Sequence, residues 1–292
     1  MRVFVTGATG FIGAALVREL IDAGHPVLGL ARSDAGAQSL TAAGAQVQRG
    51  DLENLDSLRS GAAASDAVIH LAFIHDFSKF RENCEIDRRA IETLGDALAG
   101  SDRPLLVTSG LALIAHGRLA TENDPPWPLS DHYPRASEHV AAALEKRGVR
   151  SIVVRLPQVH DTKKQGLVSY TIQFARQKGA AAYIGEGLNR WAAVHVSDAA
   201  HLYRLALEKG HTGARYHAIA EEGVTARDIA EAIGRGLKIP VESKPPEHFG
   251  WLGMFAAYDM PASSALTQQR LDWHPTGPGL ISDLDQMRYF EA

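Results

Sequence analysis

The feature that most constrains this chain is eight residues long. Thr6-Gly7-Ala8-Thr9-Gly10-Phe11-Ile12-Gly13 follows a short apolar stretch, Arg2–Thr6. It opens a segment, Phe11–Ala23, in which Ile12, Leu16, Val17 and Leu20 recur with helical spacing. Three glycines between a strand and a helix permit a tight turn, close approach of backbone to a pyrophosphate, and close packing of helix on strand. The helix N-terminus adds amide donors and the positive end of a dipole. Position gives the pattern its weight, because the same glycines outside a strand–turn–helix context carry little information. Gly7, Thr9, Gly10, Phe11, Ile12 and Gly13 are therefore the expected contacts of a dinucleotide phosphate group.

The rest of the first half keeps the alternation that such a turn requires. Strands are expected at Pro26–Leu30, Ala45–Gln48, Ala67–Leu71, Leu105–Thr108 and Ser151–Arg155, and helices at Ala35–Ala43, Glu82–Ala99 and Ser137–Arg147. Strands alternating with helices of about a dozen residues imply right-handed βαβ units and a parallel sheet, so the fold class is α/β. The second half is less regular. Helices are expected at Gly166–Lys178, at Ser197–Glu208 with Ser197 or Asp198 as cap, and from Thr225 to Arg235 with Asp228 in a capping-box position. Ala192–Val196 and Tyr216–Ile219 read as strands, and the apolar run Phe249–Tyr258 as a helix.

Composition excludes several classes. The 292 residues carry 30 Lys+Arg against 34 Asp+Glu, a formal charge of −4, with no basic run to follow a nucleic acid. A chain of about 300 residues buries roughly 75% of its unfolded surface and needs no staple. The single cysteine, Cys84, cannot form an intrachain disulfide or a cysteine-based zinc site, which is the usage expected of a cytoplasmic protein. No metal motif occurs among the 13 histidines, and no Gly-x-Ser-x-Gly elbow. The uncharged run from Val3 to Val17 is broken by three glycines, so neither a membrane span nor a signal peptide is expected.

The end of the second strand bears on the nucleotide. An acidic residue there would accept from an adenosine ribose 2′-hydroxyl. This chain has Ala31-Arg32-Ser33, in which Arg32 can pair with a 2′-phosphate and Ser33 can donate to it. NADP(H) is expected in preference to NAD(H), with Asp34, one residue further on, opposing that preference.

These motifs together resemble the extended and atypical short-chain dehydrogenase/reductases, the superfamily that includes NAD(P)-dependent epimerases and dehydratases. The Thr-Gly-x-x-Gly-x-x-Gly spacing is that of the extended class. Asp51-Leu52 resembles the pair that contacts adenine, and His70-Leu71-Ala72 the strand end beside the nicotinamide ribose. Leu106-Val107-Thr108-Ser109 resembles the strand leading to a catalytic serine, and Val153-Val154-Arg155-Leu156-Pro157 the strand leading to the nicotinamide. Val194–Ala200 resembles the return into the nucleotide domain, and Ser263 to Pro275 the C-terminal tail. The resemblance implies a Rossmann-type doubly wound sheet with a smaller C-terminal α/β substrate lobe. The nucleotide domain would comprise 1–160 with 192–219, and the lobe 161–191 with 220–292. Asp51, Leu52, Leu71, Ala72, Thr108 and Pro157 would join the cofactor contacts.

The chain departs from the family at the chemistry. The usual site pairs a serine or threonine with Tyr-x-x-x-Lys. Here Gly110 stands where the catalytic hydroxyl is expected, and Ser109 beside it should point the other way. Tyr133 is followed four residues later by Ser137, and the alternative register puts Pro134 and Glu138 in the tyrosine and lysine positions. This pattern resembles a subgroup that keeps the glycine motif without the Tyr-x-x-x-Lys site. Tyr133 is the first candidate proton donor, with His160 and Ser109 as the others. Arg135 and Glu138 are expected to pair at the helix start, and Trp191 to anchor packing.

The leading expectation is an NADP(H)-dependent oxidoreductase that reduces a small, fairly apolar carbonyl compound, or oxidises the matching alcohol, by hydride transfer with a non-standard proton donor. A sugar-nucleotide epimerase or dehydratase is the second reading. A non-catalytic NADP(H)-binding sensor or scaffold is the third. The expected partner is a small-molecule substrate, not a nucleic acid or a membrane. Phe249–Tyr258 could wall a substrate pocket or serve a homodimer.

Overall fold

The computed structural model describes residues 1–115, 117–131 and 133–287. From the N-terminus the elements are β1 (Val3–Thr6), α1 (Phe11–Asp22), β2 (Val27–Ala31), α2 (Asp34–Ala42), β3 (Gln46–Arg49), α3 (Leu55–Ala63), β4 (Ala67–His70), α4 (Phe80–Leu98), β5 (Leu105–Gly110), α5 (Ser137–Lys146) and β6 (Ser151–Leu156). There follow β7 (Gln158–His160), α6 (Val168–Lys178), β8 (Ala181–Tyr183), β9 (Arg190–His195), α7 (Val196–Lys209), β10 (Arg215–His217), β11 (Glu221–Thr225), α8 (Ala226–Leu237), β12 (Val241–Ser243), α9 (Gly253–Ala257), α10 (Ala265–Leu271) and α11 (Leu280–Asp285).

The chain divides into two compact units. The first is made of Met1–Ser109, Pro126–Arg155 and Ala200–Tyr216, and the second of Gly110–Pro125, Leu156–Ala199 and the chain from His217 onward. The second unit therefore takes in Gly110–Pro125 and the β9 region, which the motif boundaries assign to the nucleotide domain.

The first unit holds a seven-stranded sheet in the order β10-β6-β5-β4-β1-β2-β3. The pairs β1–β2, β2–β3, β1–β4 and β4–β5 are parallel. Strand order reverses between β1 and β4, which makes their carboxyl ends the switch point where an open α/β sheet binds ligands. Both strands are buried along their full length, as a sheet covered on both faces demands, whereas the edge strand β3 is half-exposed. On one face Phe4, Val68, Leu105 and Val107 pack with Leu58 of α3, Ile91 and Leu94 of α4 and Leu144 of α5. α3 was not anticipated from the sequence. Asn54 caps it, accepting from the Ser57 amide at 3.1 Å, but its short apolar face is too brief to register as a period.

The second unit holds a three-stranded sheet, β11-β9-β7, and a two-stranded one, β12-β8. Its core joins Trp191, Ala193, Ile229, Ile233, Leu280 and Leu284, so Trp191 is the packing anchor expected of it. Thr225 caps α8 through the Asp228 amide at 3.1 Å. Asp198 stands in the first turn of α7, and its carboxylate accepts from the amides of Thr276 and Gly277. The expected helix at Phe249–Tyr258 is broken. Gly250 takes φ 53° and kinks a 3-10 segment, Pro246–Leu252, from within, and the helical part that follows is the short α9. Among the described residues no helix is long and apolar enough to cross a membrane.

Candidate active site

The glycine turn is built as its spacing requires. Gly7 adopts φ +69°, and a Cβ there would come within 2.8 Å of the Ala72 amide nitrogen. A Cβ on Gly13 would overlap the Gly7 carbonyl. The Gly10 amide donates to the Gly7 carbonyl at 2.9 Å, closing the turn. Gly10 is also the N-cap of α1, so no side chain caps that helix, and its twelve residues present their positive end at the switch point. A turn that excludes Cβ atoms and leaves a helix end without a side-chain cap fits the pyrophosphate of a dinucleotide.

The end of β2 lies against this turn: a Cβ on Gly36 of α2 would touch Thr9 at 3.2 Å. Ser33 caps α2 by accepting from the Gly36 amide at 3.2 Å, which leaves its own hydroxyl proton free to donate. Arg32 is exposed. Asp34 is not a free carboxylate. Arg49, at the end of β3, reaches it at 2.5 Å and also donates to the Ser33 carbonyl at 2.6 Å. Asp51 turns its carboxylate onto the amides of Glu53 and Asn54, both at 2.9 Å, and Leu52 is buried in the core.

At the ends of β1 and β4 the structure assembles a polar chain. Thr6 Oγ1 accepts from the Ala72 amide at 3.3 Å and meets His70 Nδ1 at 2.8 Å. His70 Nε2 lies 3.1 Å from Asp87 Oδ1. Ser137 donates to Asp87 Oδ2 at 2.6 Å, and Arg135 Nε donates to Ser137 at 3.2 Å. Burial alone would push the Asp87 carboxyl up. The hydrogen bond and charge of His70, the charge of Arg135 and the hydrogen bond of Ser137 outweigh it and hold Asp87 below the usual carboxylate range. Asp87 sits on the apolar face of α4, between buried Asn83 and Ile91. A carboxylate in that stripe was the signal the sequence offered for it.

Thr108 lies buried, donating to the His70 carbonyl at 2.7 Å and meeting the Tyr203 hydroxyl at 2.7 Å. That hydroxyl is occupied inside the fold. Ser109 is buried next to it. Strand alternation puts it with Leu105 and Val107, on the sheet face that packs α4 and α5.

Tyr133 is half-buried, with its ring centroid 6.4 Å from that of Phe80. Burial pushes its phenol above the usual value, with the Arg135 charge opposing. Phe73 and Phe80 stand 6.3 Å apart, and the Arg135 guanidinium lies 4.5 Å over the Phe73 ring. The expected pair of Arg135 with Glu138 is not formed. Glu138 is buried and held by Arg155 of β6 through two bonds of 2.9 and 2.8 Å. The cause is packing: the first turn of α5 lies over the sheet, where Arg155 needs a counter-charge.

His160 belongs to the second unit and is fully buried, with Nδ1 2.6 Å from Asp283 of α11. Burial pushes its pKa down despite that carboxylate. A histidine sealed in this way ties α11 to β7, and its expected part as proton donor is corrected. Pro157, expected beside the cofactor, also falls in the second unit. Leu71 and Ala72 are half-buried just past the end of β4.

Comparison with known proteins agrees with this geometry. The family model described as the NAD dependent epimerase/dehydratase family matches residues 3–220. An uncharacterized protein of Schizosaccharomyces pombe is 48% identical, covering 99% of this chain and 100% of that protein. A 4-hydroxy-2-methyl-3-oxo-4-farnesyl-3,4-dihydroquinoline-1-oxide ketoreductase of Stigmatella aurantiaca is 27% identical, over 84% of this chain and 76% of that one. Among solved structures, a UDP-glucose 4-epimerase of Thermus thermophilus in complex with NAD superposes with a TM-score of 0.78 at 20% identity, covering 100% of this chain and 99% of that one. At that identity the likeness concerns the fold.

Proposed function

The chain belongs to the NAD dependent epimerase/dehydratase family, and from that premise we propose that it is an NADP(H)-dependent oxidoreductase reducing a small, fairly apolar carbonyl compound. The observation that carries the cofactor reading is the end of β2, where Arg32 and Ser33 stand beside an open phosphate turn and the following carboxylate is already neutralised. A likeness to a ketoreductase accords with the direction of the reaction.

When bound, the reduced nicotinamide supplies the hydride. The chain's own residues deal with the carbonyl oxygen, which gains negative charge as the hydride arrives. Tyr133 is the donor. Burial keeps its phenol protonated across the neutral range, which suits an acid in the reducing direction. Arg135 lies close enough to lower that phenol's pKa against the effect of burial, and it favours charge on the oxygen. Ser109, buried near the end of β5, is the second candidate hydroxyl. The Phe80 ring beside Tyr133, with Phe73 and Phe77 packed against Phe80, favours an apolar substrate. Glu138 takes no part, since Arg155 holds it.

The test is NADPH oxidation against a panel of ketones and aldehydes, with cofactor binding measured in the same buffer. Consumption with one carbonyl class is the expected result. Tyr133→Phe should then lower kcat by about 10²-fold or more while the NADPH Kd stays unchanged. Full turnover by that variant would remove Tyr133 as donor. Binding without consumption across the panel would favour a sensor or scaffold.

A further inference from the structure

We propose that Arg49 is a specificity-determining residue of this chain: with Arg32 it clamps the 2′-phosphate of NADP(H), and it cancels the Asp34 carboxylate that would otherwise oppose that phosphate. The inference rests on the cofactor reading above and deepens it.

Arg49 is remote from Arg32 in sequence, but the sheet brings the two together. The parallel register of β2 and β3 sets Ala31 directly beside Arg49, so both strands end at the same level. The Gly50 amide donates to the Ala31 carbonyl at 3.2 Å, which continues the pairing one residue past β3. The root of the Arg49 side chain is thus fixed against the first residue of the Arg32-Ser33-Asp34 turn. Its guanidinium spends one donor on the Ser33 carbonyl at 2.6 Å and one on Asp34 at 2.5 Å. A guanidinium carries five N–H donors, so three remain.

The charges decide what this arrangement can hold. Arg32 and Arg49 against Asp34 sum to +1 at the end of β2, next to the N-terminus of α2. Without Arg49 the sum is zero. A free acidic residue in this region would also accept from a ribose 2′-hydroxyl and so favour NADH. Arg49 removes that acceptor and supplies a planar donor suited to phosphate. A 2′-phosphate carries about two negative charges near neutral pH, so it gains from both changes, whereas a hydroxyl gains from neither. As an exposed ion pair, Arg49–Asp34 contributes little to folding, so it can be altered without loss of the protein.

The experiment is equilibrium binding of NADPH and NADH to the full chain, wild type and four variants, with ligand-free thermal melts as the folding control. Arg49→Gln should weaken NADPH by about tenfold and leave NADH within about twofold. Arg49→Lys should recover part of the loss, since it restores the charge without the planar fork. Asp34→Asn should tighten NADPH by a few-fold. If Arg49→Gln weakened both cofactors equally, or neither, while Arg32→Ala weakened NADPH alone, the role of Arg49 would fall and the cofactor reading would stand. A wild type that prefers NADH would overturn both.

Discussion

At the residue scale, the glycines of the phosphate turn are not equivalent. A Cβ on Gly13 would overlap the Gly7 carbonyl and lie 2.9 Å from the Ala8 Cα, so backbone must move to admit it. A Cβ on Gly10 would meet only the Gly7 carbonyl, at 3.1 Å. Gly13→Ala should therefore weaken NADPH by tenfold or more, about 1.4 kcal/mol, while Gly10→Ala costs less in the same titration. Equal effects would mean that the turn adapts as a whole. The sequence made this motif legible because its constraint is local: three glycines, a strand before and a helix after. Arg49 was not legible in the same way. Its partners Ser33 and Asp34 are sixteen and fifteen residues away, and only strand register brings them into reach.

At the element scale, the informative contact is the seat of α5 on β6. Glu138 and Arg155 are both buried and doubly bonded, so the pair fixes the first turn of the helix against the sheet. Glu138→Ala would leave Arg155 charged in the interior and should cost about 3–5 kcal/mol in denaturant unfolding. A loss below about 1 kcal/mol would show that Arg155 finds other partners. The helix itself was readable from its apolar spacing. The destination of Glu138 was not, because the nearest arginine in sequence, Arg135, is turned toward Phe73 and Ser137. The same limit applies to α3 and to Phe249–Tyr258. In one the apolar face is too short to show a period, and in the other a single positive φ at Gly250 interrupts a run that composition favours as helix.

At the scale of the whole molecule, each unit is assembled from three separate chain segments, so neither is a contiguous stretch. The pH response of the second unit follows from His160. Its folded pKa lies below the ordinary value near 6.5 because burial disfavours the cation, with His195 acting in the same sense and Asp283 and Glu221 opposing. The unfolded chain therefore binds the proton more readily. Stability is fully present above about pH 6.5 and falls as the pH drops below it. Thermal melts between pH 7.5 and 5.5 should show a smaller decrease for His160→Gln than for the wild type. An identical decrease would place the response elsewhere. The sequence by itself determined the α/β class, the phosphate turn and the arginine at the end of β2, because each depends on residues within a few positions of one another. Only the tertiary structure decided that His160 is sealed into the core of the second unit. It alone decided that Asp34 is neutralised, that Glu138 serves Arg155, and that Asp87 joins His70 to Ser137. Those outcomes depend on which distant strands and helices become neighbours, and a buried charge takes whatever partner the packing brings to it.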